Sequence, residues 1–72
     1  MAIKYIHAYS IESIPDTIKM VRKDLGLTQD ELAKMTGLSM SIISRYELGT
    51  RKPTVANFQK ILEATGHQLQ II

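Results

Sequence analysis

The segment from residue 34 to residue 52 carries the positive excess of the chain. It holds four basic residues, Lys34, Arg45, Arg51 and Lys52, against one acid, Glu47 (+3), whereas the other positions hold five basic and six acidic residues (−1). Guanidinium and ammonium groups clustered in this way can bind phosphate oxygens. A solvated basic face is the alternative explanation from charge alone. The secondary structure that carries these residues therefore decides between phosphate binding and a solvated basic face.

The composition argues against several other kinds of site. The 72 residues include no cysteine, so neither a disulfide nor a thiolate metal site can form, and the two histidines lie near opposite ends of the chain. We find no activated nucleophile, carboxylate pair, metal-ligand cluster or phosphate-cradling loop. There is no apolar run of about 18 residues and no signal-peptide core. We therefore expect one domain over residues 1–72 that is cytoplasmic and has no enzymatic activity, cofactor or metal.

Residues 28–48 have the pattern of two short helices joined by a turn. Thr28 and Glu31 form a T-x-x-E capping box, and Gly37 can adopt the positive φ that follows a last helical turn. Ser39 is a second N-cap, and Gly49 ends the second helix. The apolar positions of the two helices are Leu32, Ala33, Met35, Ile42, Ile43 and Tyr46. This spacing predicts a helix-turn-helix.

A helix is predicted on each side of this unit. Ser13 caps the first, which has Pro15 in its opening turn, and Thr54 caps the last, which runs to about Thr65. Apolar residues recur at helical spacing in both, which predicts that they are core: Ile14, Ile18, Val21 and Leu25 in the first, and Val55, Phe58, Ile61 and Leu62 in the last.

Together these residues resemble the Cro/repressor-type (XRE) helix-turn-helix family over roughly residues 14–66. The matching positions are Leu27-Thr28-Gln29, Glu31-Leu32-Ala33, Gly37-Leu38-Ser39, Ile43-Ser44-Arg45-Tyr46-Glu47, Gly49, Arg51 and Pro53. The resemblance implies a mainly α, four- to five-helix lambda-repressor-like DNA-binding domain, to which the residue pattern of the chain ends adds a short β-strand at one or both ends. It also implies that Arg22 pairs with Glu47, and that Gln29 donates to a DNA phosphate.

The start of the second motif helix would enter the major groove. Met40, Ser41, Ser44 and Arg45 share one face of that helix, so they are the candidate base contacts. Arg45 can bind guanine in a bidentate manner, the serines can serve a base or a phosphate, and Met40 can only make apolar contact, for example with a thymine methyl group. The candidate phosphate contacts are Gln29, Ser39, Thr50, Arg51 and Lys52, together with the Gly49–Thr50 backbone. Tyr46 fits the core or a backbone contact, and we favour the core.

Both chain ends alternate in a way that predicts strands, over residues 2–9 and 67–72. The second strand stands where phage repressors have a fifth helix, and it resembles the ending of HipB- and HigA-type antitoxins, whose C-terminal strands help to build the dimer. A lone strand needs a partner. It could pair with residues 3–9 of its own chain, or through Leu69 and Ile71 with a second subunit, and a frayed tail is the third possibility.

The function that follows from the resemblance is a sequence-specific regulator that binds double-stranded DNA, with a homodimeric repressor of a palindromic operator as the main reading. An antitoxin that also represses its own operon is a variant of it, with a toxin protein as a further partner. A protein-interaction module that has lost DNA binding is the alternative, and it predicts a neutral or acidic recognition face. Activation of transcription is compatible with the same site.

Overall fold

The computed structural model describes residues 4–7, 11 and 13–70, and it contains four helices between two short strands. In chain order the elements are β1 (Lys4–His7), α1 (Ile14–Asp24), α2 (Gln29–Thr36), α3 (Met40–Leu48), α4 (Val55–Ala64) and β2 (His67–Gln70). The predicted mainly α fold with a strand at each end is confirmed.

Each helix begins where a hydroxyl side chain accepts a hydrogen bond from a backbone N–H group three residues on. The four N-caps are Ser13, Thr28, Ser39 and Thr54, with donor–acceptor distances of 3.3, 3.1, 3.1 and 3.1 Å. At α2 the Glu31 carboxylate also accepts from the Thr28 N–H at 2.9 Å, which completes the capping box. Such a cap contributes about 1 kcal/mol. All four predicted helix starts are therefore confirmed.

The two motif helices end at glycines in the left-handed region. Gly37 follows α2 with φ +74°, and Gly49 follows α3 with φ +78°. A Cβ atom at Gly49 would lie 3.5 Å from Cγ of Pro15, so the end of α3 passes close to the start of α1. Because 3.5 Å is an ordinary van der Waals distance, the positive φ and not this approach is what requires glycine at residue 49.

The core lies where α1 to α4 converge. Its buried hydrophobic residues are Ile18, Val21, Leu32, Ala33, Ile43, Tyr46, Phe58, Ile61 and Leu62. Three residues predicted on apolar helix faces, Leu25, Met35 and Val55, are instead more than half exposed. Leu25 is the cap residue beyond the last turn of α1, and Met35 and Val55 lie in the last and first turns of short helices. Periodicity overstated burial at these ends because a terminal turn extends past the helix it packs on.

The two strands pair with each other in parallel within one chain. Ile6 lies opposite Leu69, and the register runs from Lys4 and His67 to His7 and Gln70. Ile6 and Leu69 both pack against the core, and the Lys4 N–H donates to the Gly66 carbonyl at 3.3 Å. The intrachain pairing is thus the one that this structure contains. The ends of the predicted first strand and Ile71 lie outside the described residues.

Candidate nucleic-acid interface

Helix α3 has one buried face and one polar, exposed face. Ile43, Tyr46 and Glu47 are buried. Met40, Ser41 and Arg45 are exposed, and Ser44 is half-buried. The structure therefore brings the four predicted base contacts together on one side of a helix whose other side is anchored in the core.

The turn between α2 and α3 is held by Thr36, which sequence reasoning did not single out. Its hydroxyl donates to the Leu32 carbonyl at 2.9 Å, and its oxygen accepts from the Leu38 N–H at 3.4 Å. Leu38 also packs against the core. One side chain thus links the last turn of α2 to the residue before the α3 cap. This link helps to set the angle between α2 and α3.

Arg22 and Glu47 form a bidentate ion pair between α1 and α3. Arg22 Nε lies 2.7 Å from Glu47 Oε2, and Nη2 donates to Oε1 at 2.8 Å. The remaining guanidinium nitrogen donates to the Leu27 carbonyl at 2.8 Å. The two side chains are only 12% and 3% exposed. The contact that the family resemblance implied is therefore present, and it holds the buried face of α3 against α1.

The pair also sets the ionisation of the carboxylate. Burial disfavours the charged form of Glu47, but hydrogen bonds from Arg22 and Gln29 and the positive charge of Arg22 outweigh burial, so the pKa of Glu47 is lowered. The same hydrogen bonding raises the pKa of Arg22, against the effect of its desolvation. Both groups are held in their charged forms, which is the state in which they attract each other.

Gln29 joins this network, a contact that sequence reasoning missed. Its Nε2 donates to Glu47 Oε1 at 3.3 Å, across 18 positions of sequence. The amide nitrogen carries two hydrogens, so one can bond to Glu47 while the other remains for a second acceptor. The first residue of α2 is in this way tied to the penultimate residue of α3.

The loop from Gly49 to Lys52 caps α3 with its backbone and presents cations with its side chains. The N–H groups of Gly49, Thr50 and Arg51 donate to the Tyr46 or Arg45 carbonyl, at 3.2, 3.1 and 3.4 Å, and the Thr50 hydroxyl also donates to Arg45 at 3.3 Å. In this conformation the N–H groups of Gly49 and Thr50, which we predict to contact a phosphate, already donate to carbonyls in the last turn of α3. The side chains of Arg51 and Lys52 are exposed.

Two further residues of α3 have environments that the sequence prediction did not settle. Tyr46 is buried, and its hydroxyl accepts a hydrogen bond from Asn57 Nδ2 at 3.0 Å, so it belongs to the core. Leu48 is 73% exposed, the most exposed large hydrophobic residue in the described part of the chain. It lies three positions after Arg45 and four after Ser44, and this spacing alone could have placed it on their face.

Leu69, predicted as a dimer contact, packs its side chain against the core of its own chain. Within residues 4–7, 11 and 13–70, no group of three or more His, Asp or Glu side chains is arranged to hold a metal ion. Among the same residues there is no helix with both the length and the apolar character needed to span a membrane.

Comparison with known proteins gives consistent matches. The family model HTH_3, described as helix-turn-helix, matches residues 18–71. Antitoxin HipB of Escherichia coli (strain K12) is 38% identical over 56 residues, which are 78% of this chain and 64% of HipB. An uncharacterized HTH-type transcriptional regulator of Methanothermobacter thermautotrophicus is 37% identical over 51 residues, 71% of this chain and 74% of the regulator. The match thus spans less than two thirds of the HipB chain.

Solved structures share the architecture. The solution structure of the DNA-binding domain of the P22 c2 repressor superposes with a TM-score of 0.71 at 30% identity, covering 75% of this chain and 71% of that domain. An HTH_3 family transcriptional regulator from Vibrio cholerae superposes with a TM-score of 0.72 at 33% identity, covering 76% of this chain and 31% of the regulator. With the family model matched from α1 through β2 and a repressor domain of the same fold, the chain belongs to the helix-turn-helix family HTH_3 and has a lambda-repressor-like fold.

Proposed function

We propose that this chain is a sequence-specific DNA-binding transcriptional regulator that inserts α3 into the major groove. The observation that carries the proposal is the division of α3 into two faces. One face is anchored by Ile43 and by the Arg22–Glu47 pair, while Met40, Ser41 and Arg45 are exposed on the other. A rigid helix that presents polar side chains from its first turns is what base readout in the major groove requires.

Arg45 is the principal base-reading residue in this proposal. Its guanidinium is exposed, and it can donate two parallel hydrogen bonds to O6 and N7 of a guanine. Ser41 and Ser44 lie beside it and can donate to a base edge or a phosphate. Met40, exposed at the start of α3, offers an apolar contact to a thymine methyl group.

Phosphate contacts would flank these base contacts. Arg51 and Lys52 extend from the loop after α3 and supply the positive charge. Ser39 accepts the cap hydrogen bond with its oxygen, so its own hydroxyl hydrogen remains a donor. Gln29 would use its second amide hydrogen, and Thr50 would have to turn its hydroxyl away from Arg45 to reach a phosphate. We therefore rank the two cations first.

Mutation of one residue from each class tests the proposal on DNA. A preferred duplex is first selected from a random pool, and binding is then measured by fluorescence anisotropy at several salt concentrations. We expect Arg45→Ala to cost about 1–3 kcal/mol and to relax the preference at one base pair, whereas Lys52→Ala weakens all sequences alike and lowers the salt slope by about 1. Lys60→Ala removes an exposed lysine of α4 outside the interface and serves as the charge-matched control.

Unchanged binding by both the Arg45 and the Lys52 variants would reject the interface. If the Lys52 and Lys60 variants lost equal DNA affinity, the effect of Lys52 would be one of net charge and not of a phosphate contact.

The regulator would act as a repressor. It would bind as a homodimer to a two-fold-symmetric operator whose half-sites lie roughly 34 Å apart. Each strand of the sheet has one neighbour, so within the described residues each outer edge has no strand partner. A second copy could extend the sheet there by backbone hydrogen bonds. Because the Leu69 side chain faces its own core, this contact would be made by the strand edge, with Ile71 as the remaining apolar candidate.

Sedimentation of the full chain and of a chain ended at Gly66 tests the strand contact. We expect a dimer for the first and a monomer with reduced DNA affinity for the second. A dimer in both cases would place the interface elsewhere.

An antitoxin role is the second candidate, and the identity with Antitoxin HipB of Escherichia coli favours it. In that case a toxin protein is a further partner, and the chain represses the operon that encodes both. Co-expression with the product of an adjacent gene, followed by purification of a complex and rescue of growth, would support this role. An interaction module without DNA binding is less favoured because the exposed face of α3 and its loop are basic.

A further inference from the structure

A groove of about 690 Å3 lies between the start of α1 and the segment that connects α3 to α4. Its apolar walls come from Ile14 and Pro15 of α1, Pro53 and Val55 at the start of α4, and Leu69 of β2. We refer to it as the α1–α4 groove. The first residues of α1, the loop after α3 and the terminal sheet meet here.

The described residues that line the α1–α4 groove carry charge of one sign. Arg51 and Lys52 both line it, and both are exposed. Among the described lining residues there is no carboxylate, and neither cation makes a salt bridge within the described part of the chain. An apolar surface beside two cations complements a molecule with an apolar body and a single negative head.

We propose that the α1–α4 groove binds a small amphipathic monoanion, an acyl or aryl carboxylate. The volume lies within the range of small-molecule sites, which are mostly apolar with a few polar groups that fix orientation. The apolar body contacts Ile14, Val55 and Leu69, and the carboxylate is held by Arg51 and Lys52, of which the arginine can bind it through two parallel hydrogen bonds.

The location of the groove gives such a ligand an effect on DNA binding, and this part rests on the proposed function. Arg51 and Lys52 are the cations we rank first as phosphate contacts, so a bound carboxylate and a DNA phosphate compete for the same groups. Gly49, the first residue of the same loop, lies next to Pro15 of α1, and a Cβ atom added to Gly49 would be 3.5 Å from Cγ of Pro15. Ligand and DNA therefore weaken each other's binding to an equal extent.

Three probes that share a ten-carbon chain test the site in the absence of DNA. Decanoate, decan-1-ol and decyltrimethylammonium, each below its micelle concentration, are titrated into the full chain while backbone amide signals are recorded by NMR. We expect decanoate to shift signals of Ile14, Gly49 and Leu69 saturably and to bind roughly tenfold more tightly than the alcohol, with the cation weakest. Equal affinities for the three probes, or amide signal shifts centred on Leu25 and not on the groove, would overturn the proposal.

Two glutamate variants in one helical turn give the matched comparison. Val55→Glu places a carboxylate at the wall of the groove, whereas Ala56→Glu adds the same charge at the next, exposed position, which does not line it. We expect decanoate to bind roughly tenfold more weakly to the first variant and within about twofold of normal to the second. Equal effects overturn the proposal. If Val55→Glu does not keep the native amide spectrum, the head-group series on the unaltered chain decides.

A final titration with the selected duplex separates this inference from the proposed function. Decanoate should raise the apparent Kd for DNA of the unaltered chain and of Ala56→Glu, with a smaller effect on Val55→Glu. A chain that binds decanoate selectively but prefers no duplex would refute the regulator proposal and keep the groove. A chain that binds its duplex specifically but shows no head-group preference would refute the groove proposal and keep the regulator proposal.

Discussion

The helix-turn-helix unit of residues 28–48 and the sheet of β1 and β2 are held by different kinds of interaction. The unit has a side-chain cap at each helix start, buried residues in both helices, and a bidentate ion pair to α1. The sheet has four residue pairs, and one of them, Ile6 with Leu69, packs on the core. Its strands also lie at opposite ends of the described chain.

This difference matches the tasks we propose for the two regions. Base readout requires side chains held in one geometry, which the anchored helix provides. A strand edge used for assembly requires unpaired backbone groups that a second chain can reach, and a short two-stranded sheet supplies them. The same domain thus combines an anchored helix, which we propose reads DNA, with a sheet edge that has no strand partner among the described residues.

The largest expected effect comes from breaking the Arg22–Glu47 pair, which belongs to the first region alone. Arg22→Met leaves the Glu47 carboxylate buried without its partner, and we expect the free energy of unfolding to fall by about 3–5 kcal/mol. Urea denaturation followed by circular dichroism measures this loss.

Lys34→Met is the control, because Lys34 forms an exposed i, i+4 pair with Asp30 at 3.1 Å. Its loss should stay below about 0.5 kcal/mol. Similar losses in the two variants would show that the buried pair does not anchor α3 in the way we describe.

The same pair should set the acid stability of the domain. The pKa of Glu47 is lowered, despite its burial, by Arg22 and Gln29, and the pKa of Glu31 is lowered chiefly by its hydrogen bonds with Thr28. A lowered folded pKa adds stability above the unfolded pKa that is lost as the pH falls through the folded value, so the free energy of unfolding should decline as the pH falls below about 5.

Denaturation at a series of pH values measures that decline. In Arg22→Met the slope should flatten, because burial then raises the pKa of Glu47 while only its hydrogen bond from Gln29 and the positive charge of Lys19 oppose the shift. An unchanged slope in this variant would assign the acid sensitivity to other carboxylates.

Much of the first region could be predicted from the sequence because its signals are local. Thr28 and Glu31 are three residues apart, so their reciprocal capping follows from spacing alone. The errors fall where spacing does not determine packing. Leu25 and Met35 are in phase with apolar neighbours, but Leu25 is the cap residue after α1 and Met35 lies in the last turn of α2, and both side chains are more than half exposed.

The parts that could not be predicted depend on contacts between distant residues. Gln29 reaches Glu47 only because α1 and α3 bring the Arg22 network to the start of α2. The alternation around Leu69 fits an intrachain strand and an intersubunit strand equally well, and pairing with β1 joins residues 63 positions apart, on either side of all four helices. The α1–α4 groove combines residues from four segments and has no sequence motif.

Removal of the apolar contact in the sheet should give a smaller effect, confined to the second region. Leu69 is half-buried, so Leu69→Ala should cost about 1–2 kcal/mol, less than a fully buried leucine. Gln68→Ala alters the exposed neighbour on the same strand and should stay within about 0.5 kcal/mol. Amide signals of α2 and α3 should keep their positions, while the dimer that we propose should dissociate at a higher protein concentration than that of the unaltered chain. Large shifts throughout α3 would contradict the independence of the two regions.

Apart from the control variants, the smallest effect we predict comes from the cap of α2. Thr28→Ala removes the oxygen that accepts from the Glu31 N–H, and the free energy of unfolding should fall by about 1 kcal/mol. Hydrogen exchange should become faster in Gln29–Thr36 and remain unchanged in β2. Thr54→Ala, which removes the cap of α4, should give a loss of similar size but speed exchange in Val55–Ala64 instead. Because the capping hydrogen bonds of Thr28 are made to Glu31 within α2, whereas Leu69 packs on the core from β2, the losses of Thr28→Ala and Leu69→Ala should add to within about 0.5 kcal/mol in the double variant. A larger interaction energy would mean that the sheet helps to hold the start of the reading unit, and the two regions would then be one cooperative element.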